Sequence, residues 1–291
     1  MLTPELAVIH DEMFPLYLIR GERNLLVDTA ITARSDQIGR NLDQLLAGEP
    51  LHAVVLTHSH YDHTGALTFL EERYGCEIFS SQRTKEILEN PKSIEFINKL
   101  NREFDRLLDC PHGAEVRIPK KISAVREGDI IPVARDRWLQ VYETPGHTRC
   151  SISFLLLPER IFFVGDAAGI LERKGRHKPL FLSSYLQYER SLSTIASVNA
   201  EMLGLPHNTP IRGARNVADY LAGARASMVH AKEDILAALR QSRDFEHIAA
   251  EILAREFPHP TIIGPREAFL INLTVMIKAV FREYVETAPK P

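Results

Sequence analysis

A chain of 291 residues, 45% apolar and 25% charged, has the composition of a globular protein large enough to bury a substantial core. Its formal net charge of -3 argues against a general nucleic-acid or membrane-surface binder, and no apolar run is long enough to span a bilayer. The opening MLTPELAVIHDE lacks the basic start and unbroken apolar core of a signal peptide. The widely spaced Cys76, Cys110 and Cys150 suggest free thiols, so the expectation is a cytoplasmic protein.

In chain order, FPLYLIRGERNLLVDTA holds two apolar runs around a Gly-Glu-Arg-Asn turn, a hairpin signal. ARSDQIGRNLDQLLAG follows with Ile38, Leu42, Leu45 and Leu46 at a helical period, stopped at Gly48. LHAVVLT reads as a strand buried on both faces, GALTFLEERYG as a helix ended by Gly75, and CEIFSS as a further strand. This alternation of strand and helix is the mark of an α/β protein. Residues 82–109 are helical in pattern, with Pro91 dividing them into two helices. ISAVREGDII, WLQVYETPG, SISFLLL and RIFFVGDA then read as short strands. A helical region begins near Leu182. From about Val217 the chain is almost wholly helical, interrupted at EFPHPTIIGP. The organisation expected is an α/β domain over 1–225 and a helical extension over 226–291, packed over or near the site.

The chemistry gathers in VVLTHSHYDHTGAL. A buried strand runs straight into His58, His60, Asp62 and His63, donors suited to a divalent metal without thiolate. His58 and His60, one residue apart at a strand end, can turn to one ion. Asp62 and His63, being adjacent, point to different places. The run therefore looks built for two ions, one on His58 and His60, the other on Asp62 and His63. His147 in YETPGHT, Asp166 in FFVGDAAG and His207 in LGLPHNT each end a strand-like stretch, where an α/β sheet places its site. Alone, each histidine would read as a paired structural residue and Asp166 as a helix cap. Beside the HxHxDH run, all three become candidate ligands.

THSHYDHTG, TPGHT, VGDA and the later PH, in that order, resemble the metal signature of the metallo-β-lactamase fold superfamily. LLVDTA is similar to its early strand ending in an aspartate, here Asp28, which the resemblance implies stands behind the ligands. The resemblance spans residues 25–210 and implies a four-layer αββα sandwich with the metals at one edge. It implies one ion on His58, His60 and His147, a second on Asp62, His63 and His207, and Asp166 bridging them. A bridging carboxylate in place of a cysteine ligand resembles the glyoxalase II, phosphodiesterase and lactonase branches. The cofactor implied is two divalent ions, with zinc the first candidate and iron or manganese compatible with the same donors. A narrower resemblance, over nearly the whole chain, is to the PqsE-type quinolone-signal thioesterases. Two positions depart: Asn208 follows His207 where the superfamily usually has glycine, and Ile170 stands where that family has an acidic residue near its site.

The chemistry implied is hydrolysis of a small molecule. Water between two divalent ions ionises near neutral pH, the hydroxide attacks an electrophilic carbonyl or phosphorus, and Asp62 orients it and takes up its proton. A thioester of the acyl-coenzyme A kind is the leading substrate. Phosphodiesters and lactones, or a regulatory binding role on a hydrolase fold, are the alternatives. The basic run ERKGRHKP, with Arg173, Lys174 and Arg176, reads either as a contact for an anionic substrate group or as a solvated loop. Tyr185 and Tyr188 read either as pocket lining or as core. The C-terminal helices form either a lid or a homodimer face.

Overall fold

The computed structural model describes residues 5–9, 11, 13–110, 113–172, 175–256 and 266–287. The first sheet is built from β1 (Leu6–Ile9), β2 (Leu16–Ile19), β3 (Leu25–Val27), β4 (Ala53–Val55), β5 (Glu77–Ser81) and β6 (Ile122–Val125), side by side in chain order. β1 to β3 form an antiparallel meander, whose β2–β3 hairpin is the one the sequence predicts, and β3 to β6 run parallel. β4 is apolar throughout because parallel neighbours hide its edges and other layers cover both faces.

The second sheet begins with β7 (Ile130–Ala134), β8 (Arg137–Glu143), β9 (Ile152–Leu157) and β10 (Ile161–Phe163). The two-residue strands β11 (Ile170–Leu171) and β12 (His177–Lys178) pair only with each other. β13 (Met202–Gly204) and β14 (Ile211–Arg212) complete the sheet in the order β14-β13-β10-β9-β8-β7. ISAVREGDII is thus not one strand. Arg126–Asp129 turn the chain, with Gly128 at φ 82° and Asp129 Oδ2 accepting from the Arg126 amide, so its halves join different sheets.

Helices cover both outer faces. On the first sheet lie α1 (Ser35–Leu46), α2 (Tyr61–Thr64), α3 (Leu67–Tyr74), α4 (Gln82–Leu88) and α5 (Pro91–Leu107). α1 buries Ile38, Leu42 and Leu46 at i, i+4 spacing and ends where Ala47 turns left-handed. Pro91 opens α5, and the Asn90 side chain accepts from the Lys92 amide. On the second sheet lie α6 (Tyr185–Ser197), α7 (Ala214–Gln241), α8 (Phe245–Glu256) and α9 (Arg266–Val280), followed by a π-helical turn at Phe281–Glu286. The interruption between α8 and α9, residues 257–265, lies outside the described residues.

Three apolar layers hold these four together. Leu42, Leu67, Ile97 and Phe104 pack on the outer face of the first sheet. Ile19, Val55, Val141, Phe154 and Phe163 interdigitate between the sheets. Phe162, Tyr188, Leu192, Met228, Ile248 and Ile277 join the second sheet to its helices. The chain is therefore the αββα sandwich, with the C-terminal helices sharing the last layer. Each fully buried Leu, Ile or Phe contributes roughly 1.5–3 kcal/mol of burial against the chain entropy lost. Among the described residues, no helix is long and apolar enough to cross a membrane.

Candidate metal centre

Sheet geometry delivers the polar residues to one edge. β4 ends at Val55, and Leu56 and Thr57 lead directly to His58; α2 then turns Asp62 and His63 inward. β8 ends at Glu143, ahead of His147. β10 ends at Phe163, and a 3-10 turn at Gly165–Ala168 carries Asp166. β13 ends at Gly204, ahead of His207. Two glycines are required for this. Gly146 lies at φ 128°, and a Cβ there would overlap the Tyr188 backbone. Gly165 lies at φ 51°, where a Cβ would stand 2.8 Å from Thr57 Oγ1.

All seven expected ligands converge. His58, His60, His147 and Asp166 form one group, and Asp62, His63 and His207 another, each with donor atoms within 4.8 Å of one another. Asp166 faces both: its Oδ2 lies 3.3 Å from His147 Nε2, and its Oδ1 lies 3.3 Å from His207 Nε2 and 3.8 Å from His63 Nε2. Asp62 Oδ2 is 3.6 Å from His207 Nε2.

The outer nitrogens are fixed from behind. Asp28 Oδ2 is 2.9 Å from His63 Nδ1, and the same carboxylate accepts from the Thr57 amide at 2.8 Å and the Thr57 hydroxyl at 2.8 Å. His147 Nδ1 lies 2.8 Å from the Leu180 carbonyl, and His207 Nδ1 lies 3.2 Å from the Met13 carbonyl. With Nδ1 donating, these contacts leave Nε2 of all three rings facing the cluster. Tyr17 reaches across the sandwich, its hydroxyl donating to the Leu205 carbonyl and accepting from the Leu205 amide, both at 2.9 Å. That anchors the strand end two residues before His207. Thr57 and Tyr17 were not singled out by the sequence, because a threonine in a strand end and a tyrosine in a meander carry no local signal.

The environment sets protonation. Burial holds His58 well below its ordinary value, and burial and then His147 push His60 down to about 3. Burial also lowers His147, against the pull of Asp166. For His63, burial acts downward, but Asp28 and Asp62 outweigh it and raise it to about 10. Burial acts to raise Asp166, yet His207 and His147 hold its carboxyl well below the usual range.

His58 Nε2, His63 Nε2 and Asp166 Oδ1 are buried without a hydrogen-bond partner. An unpaired buried polar atom costs roughly 1–3 kcal/mol, so three in one cluster mark a donor set shaped for a cation. Nitrogen and oxygen donors without thiolate fit zinc, iron or manganese.

Of the residues expected to touch substrate, two are described. Arg173 and Lys174 lie outside the described residues. Arg176 bonds the buried Glu172 through both Nε and a terminal nitrogen at 2.9 Å. Tyr185 is buried between Phe181 and Tyr284. A cavity of about 370 Å³ adjoins the cluster at His60 and His147, and its walls include Arg83, Ile87, Arg149 and Leu182. Asn208, which departs from the family pattern, is put to use: its side chain accepts from the Leu171 amide at 2.9 Å and donates to the Leu171 carbonyl at 2.5 Å, tying β11 to the His207 loop. Ile170 sits half-buried in β11.

Comparison with known proteins agrees with this geometry. The family model described as the metallo-beta-lactamase superfamily matches residues 16–207. A probable metallo-hydrolase of Methanocaldococcus jannaschii is 26% identical over 150 residues, covering 52% of this chain and 65% of its own. A hydroxyacylglutathione hydrolase of a Bradyrhizobium species is 28% identical over 141 residues, covering 47% of this chain and 43% of its own. The chain thus spans less than two thirds of either relative. In fold, it matches a metallo-beta-lactamase family protein of Thermus thermophilus with TM-score 0.68 and 22% identity, over 97% of this chain and 95% of the other. A beta-lactamase domain protein of Burkholderia ambifaria gives TM-score 0.71 and 17% identity, over 97% and 87%.

Proposed function

The chain belongs to the metallo-beta-lactamase superfamily, and on that premise we propose that it is a dinuclear metal-dependent hydrolase acting on a thioester. The observation that carries the dinuclear reading is Asp166, whose two oxygens face the two ligand groups. The thioester reading is supported by the hydroxyacylglutathione hydrolases among its relatives.

His58, His60 and His147 would hold one ion, Asp62, His63 and His207 the other, with Asp166 shared. Bound divalent ions supply Lewis-acid polarisation of the acyl carbonyl and ionise water near neutral pH. The protein supplies the rest. Asp28, Leu180 and Met13 keep three imidazoles oriented before substrate arrives, so little reorganisation remains at the moment of reaction. Asp62, partly exposed beside His207, accepts the proton of the attacking water at its carboxylate and directs that water's lone pair at the carbonyl carbon. The cavity beside His60 and His147 receives the substrate and brings its carbonyl to the cluster.

The test is a hydrolysis screen of acyl thioesters, phosphodiesters and lactones on protein of measured metal content. Turnover of thioesters above the other classes is the expected result. Turnover confined to phosphodiesters or lactones would overturn the thioester reading, and activity unaffected by complete metal removal would overturn the metal reading.

A further inference from the structure

The cavity beside the metal centre has a cationic rim on a chain whose formal net charge is -3. Arg83 comes from the first turn of α4, and Arg149 from the loop that carries His147; both are exposed and both line the cavity. Several other arginines are engaged by carboxylates, as in Arg23 with Glu77, Arg73 with Asp43, Arg117 with Glu72 and Arg137 with Glu159. Arg83 and Arg149 have no ion-pair partner among the described residues. The two elements converge only in the fold, so the pair belongs to the cavity and not to a local run of charge.

The remaining wall is of a different kind. Ile87, one turn beyond Arg83 on α4, and Leu182 are half-buried and apolar, while His60 and His147 mark the end at the cluster. The cavity therefore offers a metal-facing end, an apolar flank and two guanidinium groups. A guanidinium presents a planar fork of donors that matches a carboxylate or a phosphate, and such charge-assisted bonds are about twice as strong as neutral ones. A volume of about 370 Å³ falls in the range of small-molecule sites.

We propose that Arg83 and Arg149 form an anion subsite that selects thioesters carrying a carboxylate or phosphate remote from the scissile carbonyl. This rests on the thioester reading above for its substrate class. The bond cleaved lies at the cluster, the carbon chain between it and the anion lies along Ile87 and Leu182, and the anion sits between the two guanidinium groups.

The experiment measures binding of non-hydrolysable thioethers to the full-length, metal-loaded protein by calorimetry. S-hexylglutathione, with two carboxylates, is compared with S-hexyl-N-acetylcysteamine, which is neutral. S-hexyl-coenzyme A is compared with S-hexylpantetheine, which lacks the phosphates. At least one anionic probe is expected to bind tenfold or more tightly than its neutral counterpart, and the arm that responds identifies a carboxylate or a phosphate. In the Arg83→Gln/Arg149→Gln double variant, with folding checked by circular dichroism, that advantage should fall below threefold. Absence of any advantage in both arms, or an advantage retained in the double variant, overturns the subsite. If the preference appears but hexanoyl thioesters of the same thiols are not hydrolysed, the subsite stands and the thioester reading falls.

Discussion

Asp28 holds His63 through a contact of 2.9 Å between Oδ2 and Nδ1, and the same carboxylate engages both the amide and the hydroxyl of Thr57. One buried side chain thereby fixes a ligand of one group and the backbone that leads into His58 of the other. Asp28 itself lies at φ 58°, a left-handed conformation that aspartate and asparagine tolerate better than most residues.

Asp28→Asn keeps the shape and the backbone preference but removes the charge. It should weaken metal affinity about 10- to 100-fold, the usual range for a group orienting a metal-bound histidine. Competition with a metallochromic chelator measures this, and unchanged affinity would show that the Asp28 charge does not matter to the centre. Asp28→Ala adds backbone strain and unmet buried donors. It should further cost about 1–3 kcal/mol of stability by urea unfolding.

Asp166→Ala removes the one carboxylate that faces both groups. Metal content should fall below one ion per chain, and turnover should fall with it. Elemental analysis after gel filtration decides the matter: two retained ions per chain would mean that Asp166 is not the bridge.

Gly146→Ala places a methyl group against the Tyr188 backbone at a φ that alanine disfavours. The Gly146 carbonyl also accepts from the Ser183 amide at 2.9 Å, so a shift there moves a wall of the cavity as well as His147. A loss of at least about 1–3 kcal/mol is expected, read as a lower urea midpoint at constant slope.

The metal-free chain should lose stability on both sides of neutrality. His58, His60 and His147 are depressed in the folded state from an ordinary 6.5, His60 to about 3. Between those values the unfolded chain binds protons that the folded chain refuses, so stability falls as pH drops from about 6.5 towards 3. His63 has the opposite sign: raised to about 10, it contributes stability that is complete below 6.5 and is lost as pH rises through 10. Each proton difference sets a slope of about 1.4 kcal/mol per pH unit. Urea unfolding at a series of pH values checks this, and a flat profile from pH 4 to 6.5 would contradict it.

The sequence disclosed what is local and hid what is assembled. HxHxDH is legible because four donors stand within one short stretch of chain after a buried strand. His147, Asp166 and His207 are legible only as polar residues at strand ends, and their meeting needed the sheets. The helix stop at Gly75 could be read because a left-handed glycine ends a helix wherever it occurs, whereas the stop expected at Gly48 comes one residue earlier, at a left-handed Ala47 that carries no such signal. The turn that divides ISAVREGDII between two sheets could not, since apolar alternation says nothing about which sheet a strand joins. The charges of the basic run at 172–179 are conspicuous because they are adjacent in sequence, yet Arg176 is engaged by Glu172. Arg83 and Arg149 stand apart in the chain, each unremarkable where it lies, and only folding sets them around one cavity.

The turn at Arg126–Asp129 has a wider meaning. β1 to β6 all lie in one sheet and every later strand of the sandwich in the other, so the chain crosses from sheet to sheet at this turn. The metal centre is therefore the seam between two consecutive halves. The first half brings His58, His60, Asp62 and His63, and the second brings His147, Asp166 and His207. Cut at that turn, neither fragment carries all seven candidate ligands, and a bound ion would be the clasp whose capture rewards their reunion.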